Sequence, residues 1–125
     1  MELRDDLLKM EKQLWSGGQR EYRDALDSDC LVAFTGMAGV SSRDAIASQA
    51  SANRWRDVDI DVDGLLRPTD DVAILTYHVH AVREQNMPYD AVVSSGYVRR
   101  DGAWKMMFHQ QTPLGNAGAR KEAPQ

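Results

Sequence analysis

The sequence predicts an α+β fold in which three N-terminal helices precede a mostly antiparallel sheet. Apolar residues recur at helical spacing near the N-terminus, whereas from residue 56 onward they alternate with polar residues at every second position. Asp101-Gly102, a dipeptide typical of two-residue hairpin turns, separates the last two alternating segments. One domain is expected, because the chain has 125 residues.

The helices are predicted from their apolar stripes and their ends. The first covers residues 2–16 and ends at Gly17-Gly18. Its stripe consists of Leu3, Leu7, Met10 and Leu14, widened by Leu8 and Trp15. A short second helix is expected over 19–26. A third is expected from Ser41 to about Asn53, with Ser41 as the N-cap and Asp44 completing a capping box.

Five strands are predicted, over residues 30–35, 56–64, 71–83, 89–100 and 103–112. The segment 56–64 alternates three apolar residues with Asp57, Asp59, Asp61 and Asp63. This pattern indicates a strand with one solvated face, whose charges protect a sheet edge from further pairing. Calcium binding is the alternative, but no loop supplies the mixed oxygen ligands that calcium prefers.

The two-residue turn at 101–102 predicts which residues of the last hairpin face each other. It pairs Tyr97 with Met106, Ser95 with Phe108, and Ser94 with His109, and directly opposed residues share a face of the sheet. The inner-face residues from these two strands are therefore predicted to be Val93, Ser95, Tyr97, Trp104, Met106, Phe108 and Gln110. His109 and Gln111 are predicted on the outer face, where an assumed register of strand 71–83 places His78, Ser94 and His109 in one row.

Charge and composition restrict the partners. The net charge is −4, whereas nucleic acids and anionic membranes both require a basic protein face, so neither is expected as a partner. No apolar run approaches the roughly 20 residues of a membrane span. Cys30 is the single cysteine, so no intrachain disulfide is possible, and a cytoplasmic location is predicted. Residues 115–125 have no apolar anchor and are expected to form a flexible tail.

Several stretches resemble a known superfamily. The leucine-striped N-terminal helix is followed by "DSDCLVAFTG", "DDVAILTYHVHA" and "SSGYVRRDGAWKMMFHQQTPL". Together they resemble the nuclear transport factor two-like superfamily, in particular its SnoaL-like members and bacterial single-domain members of unknown activity. The resemblance covers about residues 3–114, and one domain is predicted over residues 1–114. It implies a cone, in which a curved sheet wraps around the N-terminal helices, with a pocket at the open end.

The resemblance also implies a set of possible activities and an assembly. Members include isomerases, polyketide cyclases, dehydratases and non-catalytic binding or assembly domains, and they are commonly homodimers joined through the outer sheet surface. A small hydrophobic or aromatic ligand in the cone is the preferred prediction. The predicted ligand-binding residues are Trp15, Tyr22, Trp55, Tyr77, Tyr89, Ser95, Tyr97, Trp104 and Gln110. The alternative is that these side chains form an ordinary core.

The candidates for catalysis and for metal binding are a few histidine, tyrosine and aspartate residues. Family members that perform acid–base chemistry place an acid or a histidine inside the cone, and the predicted inner strand positions contain neither. His109, Tyr77 and Asp29 are the catalytic candidates, with Asp44 as another acid near the mouth. His78, His80 and His109 have ligand types that suit zinc or iron. However, Cα atoms two strands apart are roughly 9–10 Å from each other, so we expect no metal site and no cofactor.

Three functions stay open at this point. The first is binding of a small molecule without chemistry, and the second is a SnoaL-like cyclase, isomerase or dehydratase. The third is a non-catalytic homodimeric assembly domain, which the partly apolar outer face favours. This outer face is predicted to include Val72, Ile74, Thr76, Val92, Val98 and Met107.

Overall fold

The structure is a computed structural model that describes residues 2–51 and 54–115. The chain begins with helices α1 (Leu3–Ser16) and α2 (Gln19–Ala25), strands β1 (Leu26–Phe34) and β2 (Met37–Ser42), and helix α3 (Arg43–Ala47). Strands β3 (Trp55–Thr69), β4 (Val72–Arg83), β5 (Met87–Arg100) and β6 (Ala103–Pro113) follow, with a short 3₁₀ turn at Glu84–Asn86. The α+β prediction is confirmed.

The six strands form one curved, unclosed sheet in the order β2-β1-β6-β5-β4-β3. All neighbours are antiparallel except β1 and β6, which are parallel. β3 lies at an edge, as predicted, and its alternating aspartates Asp57, Asp59, Asp61 and Asp63 are all exposed. The charges therefore lie along a strand edge that would otherwise pair with another chain.

Helix α1 covers the concave face of the sheet and completes the core. Its buried residues are Leu7, Glu11, Leu14 and Trp15, at spacings of four, three and one, which is one face of a helix. They belong to a single cluster with inward-facing residues of β4 and β5, such as Leu75. None of the helices in the described ranges is long and apolar enough to cross a membrane.

The region between β1 and β3 differs from the prediction. Residues 37–42 form strand β2, which pairs with β1 through a tight turn at Gly36, where φ is +82°. The N-cap of α3 is Ser42 and not Ser41, because the Ser42 side chain accepts a hydrogen bond from the Ala45 backbone nitrogen at 3.1 Å. The helix ends at Ala47. Its predicted end at Asn53 and the predicted tail after Gly115 lie outside the described residues.

A β-bulge in β6 reverses the predicted faces at the end of the chain. Tyr97 pairs with Met106, as predicted, but Gly96 pairs with Phe108, so Met107 is an extra residue without a partner. From this point the predicted pairing is wrong by one residue, and Ser95 faces His109. Phe108 and Gln110 consequently lie on the outer face, whereas His109 and Gln111 face inward.

Gly96 makes room for this arrangement. A Cβ atom at this position would lie 3.1 Å from the Cβ atom of Phe108, which is closer than almost all such contacts. The glycine therefore lets the outward-turned Phe108 pack directly over the β5 backbone.

The register of β4 with β5 confirms the predicted inner face but not the predicted row of histidines. Tyr77 pairs with Val93, and both are fully buried. His78 pairs with Val92, while Thr76 pairs with Ser94. Since His109 faces inward, the row of His78, Ser94 and His109 does not exist.

Candidate functional site

A cavity of about 400 Å³ opens between the concave face of the sheet, α2 and α3. Residues of α1, β1 and β6 form its floor, and residues of β3, β4 and β5 form one side of its mouth. The side chains on which the site depends are Glu11, Trp15, Tyr22, Cys30, Val32, Phe34, Arg54, Trp55, Arg83, Tyr89, His109 and Gln111. The lining is therefore mainly aromatic and aliphatic, with a few polar groups, which is typical of small-molecule sites.

Three aromatic rings pack together at the mouth. The centroid of Trp15 lies 5.1 Å from that of Trp55 in an edge-to-face arrangement, and Tyr89 lies 5.0 Å from Trp55. The guanidinium carbon of Arg83 lies over the Trp55 ring, 5.0 Å from its centroid. Each ring is held by its neighbours, so the mouth presents a preformed aromatic surface.

A buried carboxylate lies beneath the cavity. Glu11 is 1% exposed, and its two oxygens accept hydrogen bonds from the hydroxyls of Tyr77, at 2.5 Å, and Tyr97. The Tyr77 oxygen in turn accepts a hydrogen bond from Trp15 Nε1 at 2.9 Å. We call these four residues the carboxylate–tyrosine cluster. It connects α1 to β4 and β5. Its hydrogen bonds also stabilise the Glu11 carboxylate, whose charge would be costly to bury without partners.

Burial and the negative charge of Glu11 both raise the pKa of Tyr77 and Tyr97 well above the ordinary value for tyrosine. Both hydroxyls therefore stay protonated and donate to Glu11 at any physiological pH. Because each hydroxyl has only one proton, neither tyrosine has a donor left for a ligand.

A second polar chain runs along the wall formed by β5 and β6. Tyr89 donates to Gln111 Oε1 at 2.6 Å, and Gln111 Nε2 lies 3.0 Å from His109 Nε2. His109 Nδ1 lies 2.8 Å from the hydroxyl oxygen of Ser95, which is fully buried. Because Gln111 Oε1 accepts the hydrogen bond from Tyr89, the amide nitrogen of Gln111 is the group that donates to His109 Nε2. Nε2 is therefore unprotonated, and the imidazole proton is on Nδ1. His109 is therefore neutral in this network.

Burial lowers the pKa of His109, and the negative charge of Glu11 offsets this only in part. The unfolded chain therefore binds a proton at this residue more readily than the folded protein does. By linkage, the free energy of unfolding should fall as the pH drops below about 6.5, whereas above that value His109 contributes no pH dependence.

We expect His109→Gln to lose less stability than the wild type when the pH is lowered from 7.5 to 5.5. Glutamine keeps hydrogen-bonding groups in place but does not titrate. Urea unfolding at the two pH values measures the difference, and His78 and His80 are present in both proteins as an internal control. Equal losses in the two proteins would show that His109 does not titrate abnormally.

Cys30 lies in the floor of the cavity and is fully buried. Burial, assisted by the charge of Asp27, raises the pKa of its thiol to about 11. The thiol is therefore protonated at neutral pH and acts as a small apolar lining group, not as a nucleophile. This agrees with the core role predicted from the sequence.

The predicted ligand-binding residues fall into three groups. Trp15, Tyr22, Trp55 and Tyr89 line the cavity. Tyr77, Ser95 and Tyr97 lie one layer behind it, where they hold Glu11 and His109. Two placements are wrong. Trp104 stacks with Arg67 and Arg99 near the 101–102 turn, away from the cavity, and the bulge at Met107 turns Gln110 to the outer face.

Some of the predicted catalytic and metal-binding residues line the cavity and others do not. His109 lines the cavity, so the prediction that no histidine faces inward is wrong. Asp29 and Asp44 are exposed and do not line the cavity, and Asp44 lies 3.7 Å from Arg23.

The other two histidines lie on the opposite face of the sheet from His109. His78 contacts Asp63 at 2.5 Å, and His80 contacts Asp90 at 2.8 Å. The three histidines therefore cannot share one metal ion. Within residues 2–51 and 54–115, no three histidine, cysteine or acidic side chains are grouped to hold one.

The charged and amide side chains of the site that were not predicted from the sequence are those of Glu11, Arg54, Arg83 and Gln111, and the lining by Cys30, Val32 and Phe34 was not predicted either. Glu11 had a signal, because it is four residues from both Leu7 and Trp15 and so falls on the apolar face of α1. Gln111 required knowledge of the bulge. Arg54 and Arg83 both line the cavity, because β3 and β4 pair with Trp55 opposite Arg83.

No protein-family model matches the chain, and no curated protein matches it significantly. Solved structures do match. A ketosteroid isomerase-like protein from Erwinia carotovora atroseptica aligns with a TM-score of 0.74 at 10% identity, covering 91% of this chain and 95% of that one. An NTF2-like protein from Cytophaga hutchinsonii aligns with a TM-score of 0.69 at 16% identity, covering 91% of this chain and all of that one.

These similarities extend over nearly the whole described chain. A further NTF2-like protein, from Prochlorococcus, aligns at 15% identity with a TM-score of 0.69, covering 90% of this chain and 94% of that one. The chain therefore has the cone-shaped α+β fold of the nuclear transport factor two-like proteins. At these identities the similarity shows the fold alone, because proteins of one fold carry many different functions.

Proposed function

We propose that this protein binds a small, flat, hydrophobic or aromatic molecule in the cavity and acts in the cytoplasm. The observation that carries the proposal is an aromatic cavity of about 400 Å³ whose wall contains the neutral imidazole of His109. This volume lies within the roughly 300–1,000 Å³ range of small-molecule sites.

The arrangement of polar groups supports a ligand with a polar group at its buried end. The rings at the mouth offer an apolar surface, whereas the deeper wall offers His109 Nε2 and the amide of Gln111. A hydroxyl group on the ligand can donate to His109 Nε2 and accept from the Gln111 amide, whereas a carbonyl group can accept from that amide. A wholly apolar ligand would leave the pair unchanged and would gain only burial energy.

The test uses 2-naphthol, a flat two-ring probe with one hydroxyl. We expect saturable binding by calorimetry and a rise in the free energy of unfolding of about 2.7 kcal/mol at a hundredfold excess over the dissociation constant. Decahydronaphthalen-2-ol, which has the same skeleton but no aromatic rings, should bind more weakly. Heats that never saturate, together with an unchanged unfolding midpoint, would contradict the proposal.

A second proposed function is proton transfer by His109 to and from the bound molecule. The observation that favours it is the inward-facing ring of His109. Burial lowers the pKa of this imidazole, so Nε2 is unprotonated and can act as a base at neutral pH. In such a step Nε2 takes a proton from a carbon next to a carbonyl group, and the resulting enolate takes a proton back from the imidazolium. Ketosteroid isomerase-like neighbours are consistent with this chemistry.

Deuterium exchange of 2-indanone in heavy water tests proton transfer without knowledge of the natural substrate. The wild-type protein should exchange the methylene hydrogens next to the carbonyl group faster than His109→Gln does when both proteins are saturated with 2-indanone. Identical exchange rates would limit the function to binding.

We further propose that two copies of the chain join through the outer sheet face. The bulge turns Phe108 outward, so this residue adds to the outer surface that the sequence predicted. Leu66 and Ile74 pair with each other on the same face, and their exposed fractions are 63% and 37%. Apolar patches of this kind are typical of interfaces. The dimer would leave the cavity open, since the cavity is on the concave face.

We expect sedimentation of the wild type to give a dimer mass at micromolar concentration. Ile74→Lys should give a monomer mass, because burial of the lysine ammonium group at the interface would carry a desolvation cost. Met87→Lys is the matched control, since Met87 is an exposed apolar residue at the far end of the sheet, beside the mouth. A monomeric wild type would contradict the dimer.

A further inference from the structure

The mouth of the cavity is positively charged, although the protein as a whole is acidic. The chain contains 19 acidic and 15 basic residues, yet the charged residues that line the cavity are Arg54, Arg83 and Glu11. Glu11 lies at the bottom, with both oxygens bonded to tyrosine hydroxyls. Its negative charge is therefore enclosed, and the part of the cavity that a ligand enters is lined by two cations.

Both arginines are neighbours of Trp55. Arg54 precedes Trp55 in the chain, and Arg83 is directly opposite Trp55 in the pairing of β3 with β4. Arg83 stacks on the Trp55 ring at 5.0 Å, a contact that orients the guanidinium plane without using its N–H groups. Within residues 2–51 and 54–115, no side chain forms an ion pair with Arg54 or Arg83.

Other stacked arginines of the protein differ in this respect. Arg99 also stacks on a tryptophan, Trp104, but its guanidinium forms an ion pair with Asp71 at 3.0 Å. Arg67 also stacks on Trp104, and it donates to the Asp70 backbone carbonyl at 2.7 Å. The N–H groups of Arg54 and Arg83 thus lie in a cavity with an aromatic surface. No acceptor for them is found among the residues that the structure describes.

We propose that the bound molecule is an aromatic carboxylate, whose ring lies against Trp15, Trp55 and Tyr89 and whose carboxylate is bound by Arg54 and Arg83. This inference rests on the proposed binding function and adds the class of ligand. Guanidinium groups bind carboxylates through paired N–H donors, and an aromatic ring beside the guanidinium suits a carboxylate attached to a flat ring. An amine is excluded from this position by the like charge of the two arginines.

Three probes of one shape test the charge of the ligand: 2-naphthoate, its neutral amide 2-naphthamide, and the cation 2-naphthylmethylammonium. At pH 7.5 and low salt we expect the dissociation constant of the carboxylate to be about tenfold lower than that of the amide, since a charge-assisted bond replaces a neutral one. The cation should bind more weakly than the amide.

Matched variants show which arginines cause the preference for the carboxylate over the amide. Arg83→Gln and Arg54→Gln should each reduce the preference for the carboxylate over the amide while the amide affinity changes little. Arg67→Gln, which removes a stacked arginine outside the cavity, should leave the preference unchanged. A preference that persists in both cavity variants would overturn the proposal, because the carboxylate would then be bound elsewhere.

The probes also separate this inference from the function on which it rests. Equal binding of all three probes, or tighter binding of the cation, would overturn the carboxylate class while the aromatic-binding function stands. Absence of binding by all three probes and by 2-naphthol would overturn both.

Discussion

Glu11→Ala should be the most destabilising single substitution in the cavity floor. The change removes the acceptor for two buried tyrosine hydroxyls, Tyr77 and Tyr97, and leaves a void beneath Trp15. A buried donor without an acceptor costs about 1–3 kcal/mol, and breaking a buried charged network costs about 3–5 kcal/mol. Because small domains have about 5–15 kcal/mol of stability in total, urea unfolding should show a large shift of the midpoint.

Two variants show whether hydrogen bonding causes this loss. Glu11→Gln has nearly the same shape but can accept through only one side-chain atom, so it should lose about 1–3 kcal/mol. Glu84→Ala removes an exposed glutamate and should leave the midpoint unchanged. If Glu11→Ala cost no more than Glu84→Ala, the carboxylate–tyrosine cluster would not hold α1 to the sheet.

Val32→Phe should weaken binding of 2-naphthol strongly while the protein stays folded. Val32 lines the cavity directly opposite His109 in the pairing of β1 with β6. A phenyl group there can extend into a cavity of about 400 Å³ without displacing the core, so it fills the volume that a ligand ring needs. Calorimetry should show affinity reduced by at least about tenfold, which corresponds to 1.4 kcal/mol.

The adjacent residue provides the control for this variant. Leu31 is 48% exposed and points away from the cavity, so Leu31→Phe adds the same ring to the outer surface and should not change binding. Circular dichroism of both variants should match that of the wild type. Unimpaired binding by a folded Val32→Phe protein would place the ligand elsewhere.

Local patterns predicted much of the fold. The stripe of α1 predicted its buried face, the Asp101-Gly102 turn predicted the hairpin as far as the pair Tyr97–Met106, and the alternating aspartates predicted an edge strand. Each of these features depends on residues that are close in sequence. Strand β2 was not predicted, because residues 37–42 are mostly exposed and have no alternating apolar face.

The site was predicted less well, for two physical reasons. A bulge at Met107 depends on how β6 fits between β1 and β5, and no residue of the hairpin turn signals it, yet it decides whether His109 or Gln110 reaches the cavity. The second reason is that the buried carboxylate comes from a helix, whereas the prediction that no acid faces inward rested on the strands alone. The apolar face of α1 includes the position of Glu11, but only the packing of α1 on the sheet brings its carboxylate to Tyr77 and Tyr97.

The most direct test of the binding function uses the three tryptophans as reporters in one NMR titration with 2-naphthol. Trp15 and Trp55 line the cavity, whereas Trp104 lies outside it and serves as an internal reference. The indole N–H signals of Trp15 and Trp55 should shift and saturate together with the ring signals of His109, while the signal of Trp104 stays in place. Saturation at Trp104 alone, or no shift of any of these signals, would contradict a ligand site in the cone.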